Sequence, residues 1–395
     1  MNSKVLSGLF ILALLVNGCI SEFNAVLPSN DEQILIVEGN VVGNTSAIFY
    51  LSKSFPLNAL SIPVESFDID ANLTIIGNNG YKSPPALYLG KGAYSITIGE
   101  LDDNVEYGIQ IEYGGDTYQS VLSKPFHTPE IDSVSWIQPE ESGVISFRVS
   151  THDDMEGAKF FVWDYTENWE IRVDYFTTIF FNPVDSIFFY DFSAPYYYCW
   201  KSSTSNKFLI GSTESLSENR IINKTLYQCS PESDRFSELY SFTVTQRAIS
   251  KSAFDYYQNK ILLNDEMGGL FTPQPAELRG NIICSTDPSK KVMGYVEVVK
   301  KEAQKRIFVY PSQVTYPKFF VNCDAISNDS IFTAMEENGF TYAYFYKAGY
   351  RPTGDIDMRF YPEIVPLIWA RSVCTDCIAK GGTKNKPDFW PNNHE

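Results

Sequence analysis

The sequence predicts a mostly β protein: two immunoglobulin- or fibronectin-III-like β-sandwich domains, the second enlarged by one helix and long aromatic-rich insertions. Three observations predict it. Aromatic residues make up 15% of the chain, and aromatic and β-branched side chains suit the pleated, half-buried surface of a strand. Short runs alternate apolar and polar residues and break at Gly, Asn and Pro turns. A single stretch stands out as carrying apolar residues at helical spacing.

Residues 1–18 read as a lipoprotein signal peptide. Lys4 precedes an apolar run, Val5 to Val16, which is too short to span a bilayer. The run closes on Val16-Asn17-Gly18-Cys19, the arrangement at which a peptide is cut before the cysteine and the new N-terminus acylated. The plain alternative is an ordinary secretory signal. Cys19 is therefore the expected lipidation site, followed by a flexible leader over residues 19–31. No later stretch is long and apolar enough for a transmembrane helix.

Residues 32–126 form the first expected sandwich. Strands are predicted within 33–51 and near 73–76, 86–89, 93–98, 106–113 and 117–122, separated by turns such as Gly77-Asn78-Asn79-Gly80 and Gly114-Gly115. Seven or so short strands at this spacing describe an immunoglobulin-like unit. Lys124-Pro125 to Thr128-Pro129 then interrupts the pattern as a linker. A larger β-rich domain is predicted over 130–365, with a helix near 251–263 where Phe254, Tyr257 and Ile261 recur at helical spacing. Residues 366–395 are expected to pack on it as a Cys-x-x-Cys tail, pinned by burial of Phe389 and Trp390. Two segments resist this plan. Residues 176–200 are crowded with aromatic rings, and Phe340, Tyr342, Tyr344 and Tyr346 alternate, which predicts four rings on one strand face. Exposed, those four would make a stacking platform for a glycan or a receptor loop; buried, they are core.

Beyond Cys19, six cysteines remain: Cys199, Cys229, Cys284, Cys323, Cys374 and Cys377. An even number in an exported chain predicts disulfides, with connectivity left open. For Cys374-x-x-Cys377 a redox pair needs a thioredoxin-like setting that the flanking sequence lacks. A metal site needs two more ligands, and the chain's histidines are His127, His152 and His394. The expectation is a structural disulfide, within the pair or from one member to Cys199 or Cys323, with no metal and no cofactor. The carboxylates of Asp68-x-Asp70, Asp153-Asp154 with Glu156, and Asp355-x-Asp357 lack the full spacing of a calcium loop and read as solvated turns.

A formal charge of −17 argues against nucleic-acid binding. There is no Gly-x-Ser-x-Gly elbow, His-Glu-x-x-His or phosphate-cradling loop, so the chain is not expected to be an enzyme.

Longer motifs carry a resemblance. Gly268-Gly269-Leu270-Phe271-Thr272-Pro273-Gln274-Pro275 runs on to Gly280-Asn281-Ile282, and Cys374-Thr375-Asp376-Cys377 is followed by Gly381-Gly382-Thr383 and Lys386-Pro387-Asp388-Phe389-Trp390. With Ile36-Val37-Glu38-Gly39, Cys199-Trp200, Val244-Thr245-Gln246 and Gly294-Tyr295, these resemble a Bacteroidota lipoprotein family of unknown function, domain-of-unknown-function 4249. Its members are similar in being outer-membrane lipoproteins, often encoded beside TonB-dependent receptors. The resemblance implies a lipid-anchored accessory of such a receptor at the cell surface, engaged in nutrient capture or receptor support. It supplies no catalytic residue or ligand. The alternatives from other classes are a surface hydrolase acting on glycan or peptide, and a structural envelope protein.

Overall fold

The computed structural model describes residues 33–55, 67, 69–139, 143–155, 157–264, 278, 280–315 and 323–391. The signal peptide, Cys19, the leader, the Gly268–Pro275 motif, Asp68, Glu156 and His394 lie outside them. The chain is mostly β, arranged as several sheets.

In the N-terminal part, alternation sets which residues enter the core. Along Thr45–Lys53, Ala47, Phe49 and Leu51 are buried while Ile48 and Tyr50 face solvent, the period-two pattern of a strand covered on one side. This strand sits between Leu35–Glu38 and Ala93–Ile98 in a five-stranded sheet. A four-stranded sheet packs against it through Leu73, Ile75, Ile109, Ile111 and Tyr118, giving a sandwich-like unit with one core.

The unit is not closed by residues 32–126. Ile282–Cys284 pairs antiparallel with Asp116–Ser120, Val292–Gly294 runs parallel to Leu35–Glu38, and Val298–Val299 runs parallel to Val41–Val42. Ile282, Cys284, Val296 and Val298 are buried in the same core. The boundary drawn at the Pro125–Pro129 linker is corrected accordingly: residues 282–299 return from the predicted second domain to complete the first unit. Glycines make the return possible. A Cβ on Gly280 would lie 1.6 Å from the Gly294 carbonyl oxygen, and one on Gly294, at φ 144°, would lie 2.3 Å from that of Val37.

The second sandwich-like unit packs the sheet of Ile131–Ile137, Ile145–His152 and Arg220–Cys229 on the sheet of Tyr198–Thr204, Phe160–Arg172, Tyr240–Ile249 and Ala303–Val309. Phe147 stacks on Phe242 with centroids 4.3 Å apart. Fully buried Gln246 uses its whole amide: Oε1 accepts from Trp163 Nε1 at 2.8 Å, and Nε2 donates to Pro129 O and Thr151 Oγ1, each at 2.9 Å. A buried amide left unpaired would cost about 1–3 kcal/mol, so this network fixes the linker to the sheet. The helix near 251–263 is found at Lys251–Asn264, capped by Ser250 Oγ, which accepts from Ala253 N at 3.1 Å. Its Ala253, Tyr256 and Tyr257 pack beside Phe160 and Val162.

The two aromatic segments that resisted the two-domain plan pack on each other. Strands Ala325–Ser327, Tyr350–Ile356 and Pro366–Arg371 form a small sheet flanked by helices Asn328–Asn338 and Tyr342–Lys347. The hairpin Ile179–Asn182/Ile187–Tyr190 docks there, burying Phe181 with Ile331, Phe345 and Trp369 in a separate core. Trp369 is fully buried, with Tyr342 stacked on it at 5.5 Å and Phe181 and Phe188 each at 6.0 Å.

Trp369→Ala is therefore expected to cost this small unit about 3–5 kcal/mol. Urea unfolding followed by near-ultraviolet circular dichroism should show an added early transition in the variant. A curve superimposable on that of the wild type would refute the assignment of Trp369 as the centre of this core.

Candidate binding surface

The run Phe340–Tyr346 is not a strand. Gly339, at φ 68°, ends the preceding helix, and Thr341 starts the next by accepting a hydrogen bond from Tyr344 N at 3.2 Å. Phe340, just before the cap, folds back over the first turn and stacks on Tyr344 with centroids 4.1 Å apart and planes 6° from parallel. Tyr342 is taken up by Trp369, and its hydroxyl lies 3.5 Å from Asn328 Oδ1. Tyr346 lies beneath the Arg351 guanidinium, 3.7 Å from ring centroid to Cζ. Of the four rings only Tyr344 is well exposed, at 48%. The four-ring strand platform is corrected to one exposed ring backed by three packed ones.

The larger exposed aromatic surface belongs to residues 176–196. In the hairpin, Phe181 and Phe188 face the small core while the cross-strand pair Phe180–Phe189 faces outward, stacked at 5.7 Å. Tyr196 meets Phe180 edge-on at 5.8 Å. At the end of the hairpin Tyr190 stacks on Phe192 at 5.2 Å, and Phe192 and Phe176 are 78% and 56% exposed. Ile187 and Phe189 are also exposed. The sequence held the signal for this surface: consecutive aromatics at Phe180-Phe181 and Phe188-Phe189 put rings on both faces of a hairpin that buries only one.

The tail fixes both roots of this excursion. Cys323 bonds Cys374, and Cys199 bonds Cys377. Each member of the Cys-x-x-Cys thus has its own distant partner, and no bond forms within the pair. At one root Tyr175 N donates to Cys374 O at 3.0 Å and Tyr175 Oη to Cys323 O at 2.8 Å. At the other, Cys377 N donates to Tyr196 O at 3.0 Å. The chain continues along the edge strand, where Thr383 and Trp200 exchange two backbone hydrogen bonds of 2.9 Å. Trp390 is buried edge-on against Phe308 at 5.8 Å, and Arg306 covers half-buried Phe389.

Asp174 lies beside Cys323 and Cys374, but both sulfurs are consumed in the disulfide and are not thiolate ligands. His127 pairs with Asp103 at 3.1 Å and His152 with Asp132 at 2.6 Å. Asp357 is held by Arg359 Nε, 2.9 Å from its Oδ1. Cys229 and Cys284 are free thiols. Burial, reinforced by nearby Glu167, pushes the Cys229 thiol up to about 12, while Cys284 lies in the N-terminal core. Neither belongs to the exposed aromatic surface. Among the described residues no helix is long and apolar enough to cross a membrane.

Non-reducing peptide mapping should recover the Cys199–Cys377 and Cys323–Cys374 linked peptides and no Cys374–Cys377 bridge. With its thiol raised by burial, Cys229 is almost wholly protonated near neutral pH, and the thiolate is the form that attacks iodoacetamide, so labelling of the native protein should be slow and accelerate as pH rises. Labelling at the rate of an ordinary exposed cysteine would contradict that environment.

No curated protein matches the chain. One family does, over residues 20–305, a span that takes in the N-terminal unit, the aromatic hairpin and most of the second unit and stops short of the Cys-x-x-Cys tail. The chain belongs to the family described as domain of unknown function DUF4249.

Proposed function

We propose that this protein is an exported, lipid-anchored module of the outer membrane, non-enzymatic, that binds or supports a TonB-dependent receptor, and that the aromatic hairpin at 176–196 is its docking surface. Its two sandwich-like units are read as immunoglobulin- or fibronectin-III-like. The observation that carries the reading is the group of exposed rings at Phe176, Phe189 and Phe192 on a base tied down at both roots. Aromatic side chains concentrate binding energy at protein interfaces, and large apolar patches are otherwise scarce on soluble surfaces. Two disulfides suit an oxidising compartment outside the cytoplasm.

Acylation at Cys19 would confine the module to a thin layer beside the membrane. The effective concentration at a neighbouring receptor is then high, so a modest interface suffices. A mature lipoprotein with several acyl chains would not leave the bilayer on the timescale of binding, since each buried methylene contributes about 0.8 kcal/mol.

Affinity purification from native membranes should recover a TonB-dependent receptor with the wild-type protein. The triple variant Phe176→Ser, Phe189→Ser, Phe192→Ser should lose it while its melting temperature stays within a few degrees. A wild-type preparation without receptor, or a variant that retains it, would sink the docking assignment. Anchoring is tested separately: metabolic labelling with palmitate should mark the wild type and not Cys19→Ala, and an unlabelled wild type would remove the tether from the account.

A further inference from the structure

A cleft of about 680 Å³ opens at the seam where the linker, the start of the helix Lys251–Asn264 and the returning stretch 280–297 meet. Seams between units are where ligand sites concentrate, and this volume falls within the roughly 300–1,000 Å³ typical of them. Its inner wall is a polar ladder. Glu297 is 2% exposed, and one carboxylate oxygen accepts from Ser250 Oγ at 2.7 Å and Ser250 N at 3.1 Å. Two residues earlier, on the same side of the chain, Tyr295 shares a hydrogen bond of 2.7 Å with Ser252 Oγ. Lys124 and Phe126 of the linker also line the cleft.

The sequence maintains this arrangement at some expense. Asn281 clamps the backbone of Val296 through two bonds of 2.8 Å, which orients the Tyr295–Glu297 stretch. A buried carboxyl costs stability that an apolar side chain of similar size would not. Burial raises the Glu297 carboxyl above the ordinary range against the opposing hydrogen bonds of Ser250. The carboxyl accepts hydrogen bonds, and the neighbouring hydroxyls of Ser250, Ser252 and Tyr295 can each donate and accept. Lys124 disfavours a cation and Glu297 an anion, whereas a neutral molecule rich in hydroxyl groups matches donors and acceptors together. Phe126 and Tyr295 offer rings for its C–H faces.

We propose that this cleft binds a neutral, hydroxyl-rich small molecule of mono- or disaccharide size. The site is separate from the aromatic hairpin and does not depend on receptor docking. Saturation-transfer NMR and calorimetry on the full chain, with maltose, cellobiose and N,N′-diacetylchitobiose as probes, should find at least one ligand. Tyr295→Phe and Ser252→Ala should each weaken it by about tenfold, the loss of one hydrogen bond to a polar ligand, and Glu297→Ala should abolish it. Phe189→Ser should leave it unchanged. Failure of all three probes to bind folded wild type, or undiminished binding by Ser252→Ala, would overturn the proposal. Ser252 is exposed at the rim, so that variant keeps the test decisive should Glu297→Ala fail to fold.

Discussion

The constraint on which this architecture turns is that neighbouring cysteines are bonded to different parts of the chain. Cys377 closes a separation of 178 residues to Cys199 in the second unit, and Cys374 one of 51 residues to Cys323 beside the small aromatic unit. In the chain-entropy account these closures are worth about 5 and about 4 kcal/mol taken singly, though nested loops do not simply add. The geometric effect matters more. Two residues between the cysteines leave little freedom, so the small sheet, the edge strand Tyr198–Thr204 and both roots of the aromatic hairpin are held in one place. A hairpin whose strands are four residues each would be marginal alone. Here its inner face is buried on Trp369 and its roots are fastened, so the outer rings are presented without a large ordering cost on binding.

The same dependence on distant residues runs through the rest of the fold. The N-terminal core includes Ile282, Val296 and Val298, which lie on the far side of the second unit in sequence. The second core depends on Gln246, Pro129 and Thr151, and on the ion pair in which buried Glu167 accepts from Arg235 Nε and Tyr240 Oη, each at 2.8 Å. Contacts of such sequence separation are slow to form. The first unit cannot complete its sheets until the chain to residue 299 is available.

What was legible follows from how local the cause is. Period-two alternation located the first strands of the N-terminal unit, because one covered face imprints its pattern on consecutive residues, whereas Phe160–Arg172 and Tyr240–Ile249, largely buried on both faces, were legible as apolar and aromatic runs. The helix at Lys251–Asn264 was legible for the corresponding reason at a spacing of three to four. Phe340–Tyr346 misled because alternate aromatics also satisfy a short helix: Tyr342 with Tyr346 is an i, i+4 pair, and Phe340, just before the cap, stacks back on Tyr344. The deciding features were Gly339 and the cap at Thr341, together with Phe345, which breaks the parity and is the ring that enters the core. Strand order, the return of 282–299 and the pairing of the cysteines are set by partners tens to hundreds of residues away, and no local pattern encodes them. The candidate sites divide the same way. The aromatic density of 176–200 was visible, though which rings stay exposed depends on Trp369. The cleft joins Lys124, Ser250 and Glu297, residues unremarkable singly and meaningful only once the return stretch brings them together.

The two sites ask opposite things of the same scaffold. The hairpin presents rings outward, where their apolar area is uncovered until another surface removes it from water at about 25 cal/mol per Å². The proposed cleft presents hydroxyl groups and a buried carboxyl inward, where affinity would come from matched hydrogen bonds and little apolar area is gained. A partner that covers the first has no chemical reason to occupy the second, and a polar ligand in the second has little to gain from exposed phenylalanines. The helix Lys251–Asn264, whose first turn borders the cleft, packs on the sheet built on Phe160–Arg172 through Phe160, Val162 and Tyr257. If both proposals hold, a small polar molecule at the seam and a protein on the hairpin would share no contact residue, and the two events would be independent unless the scaffold itself shifts.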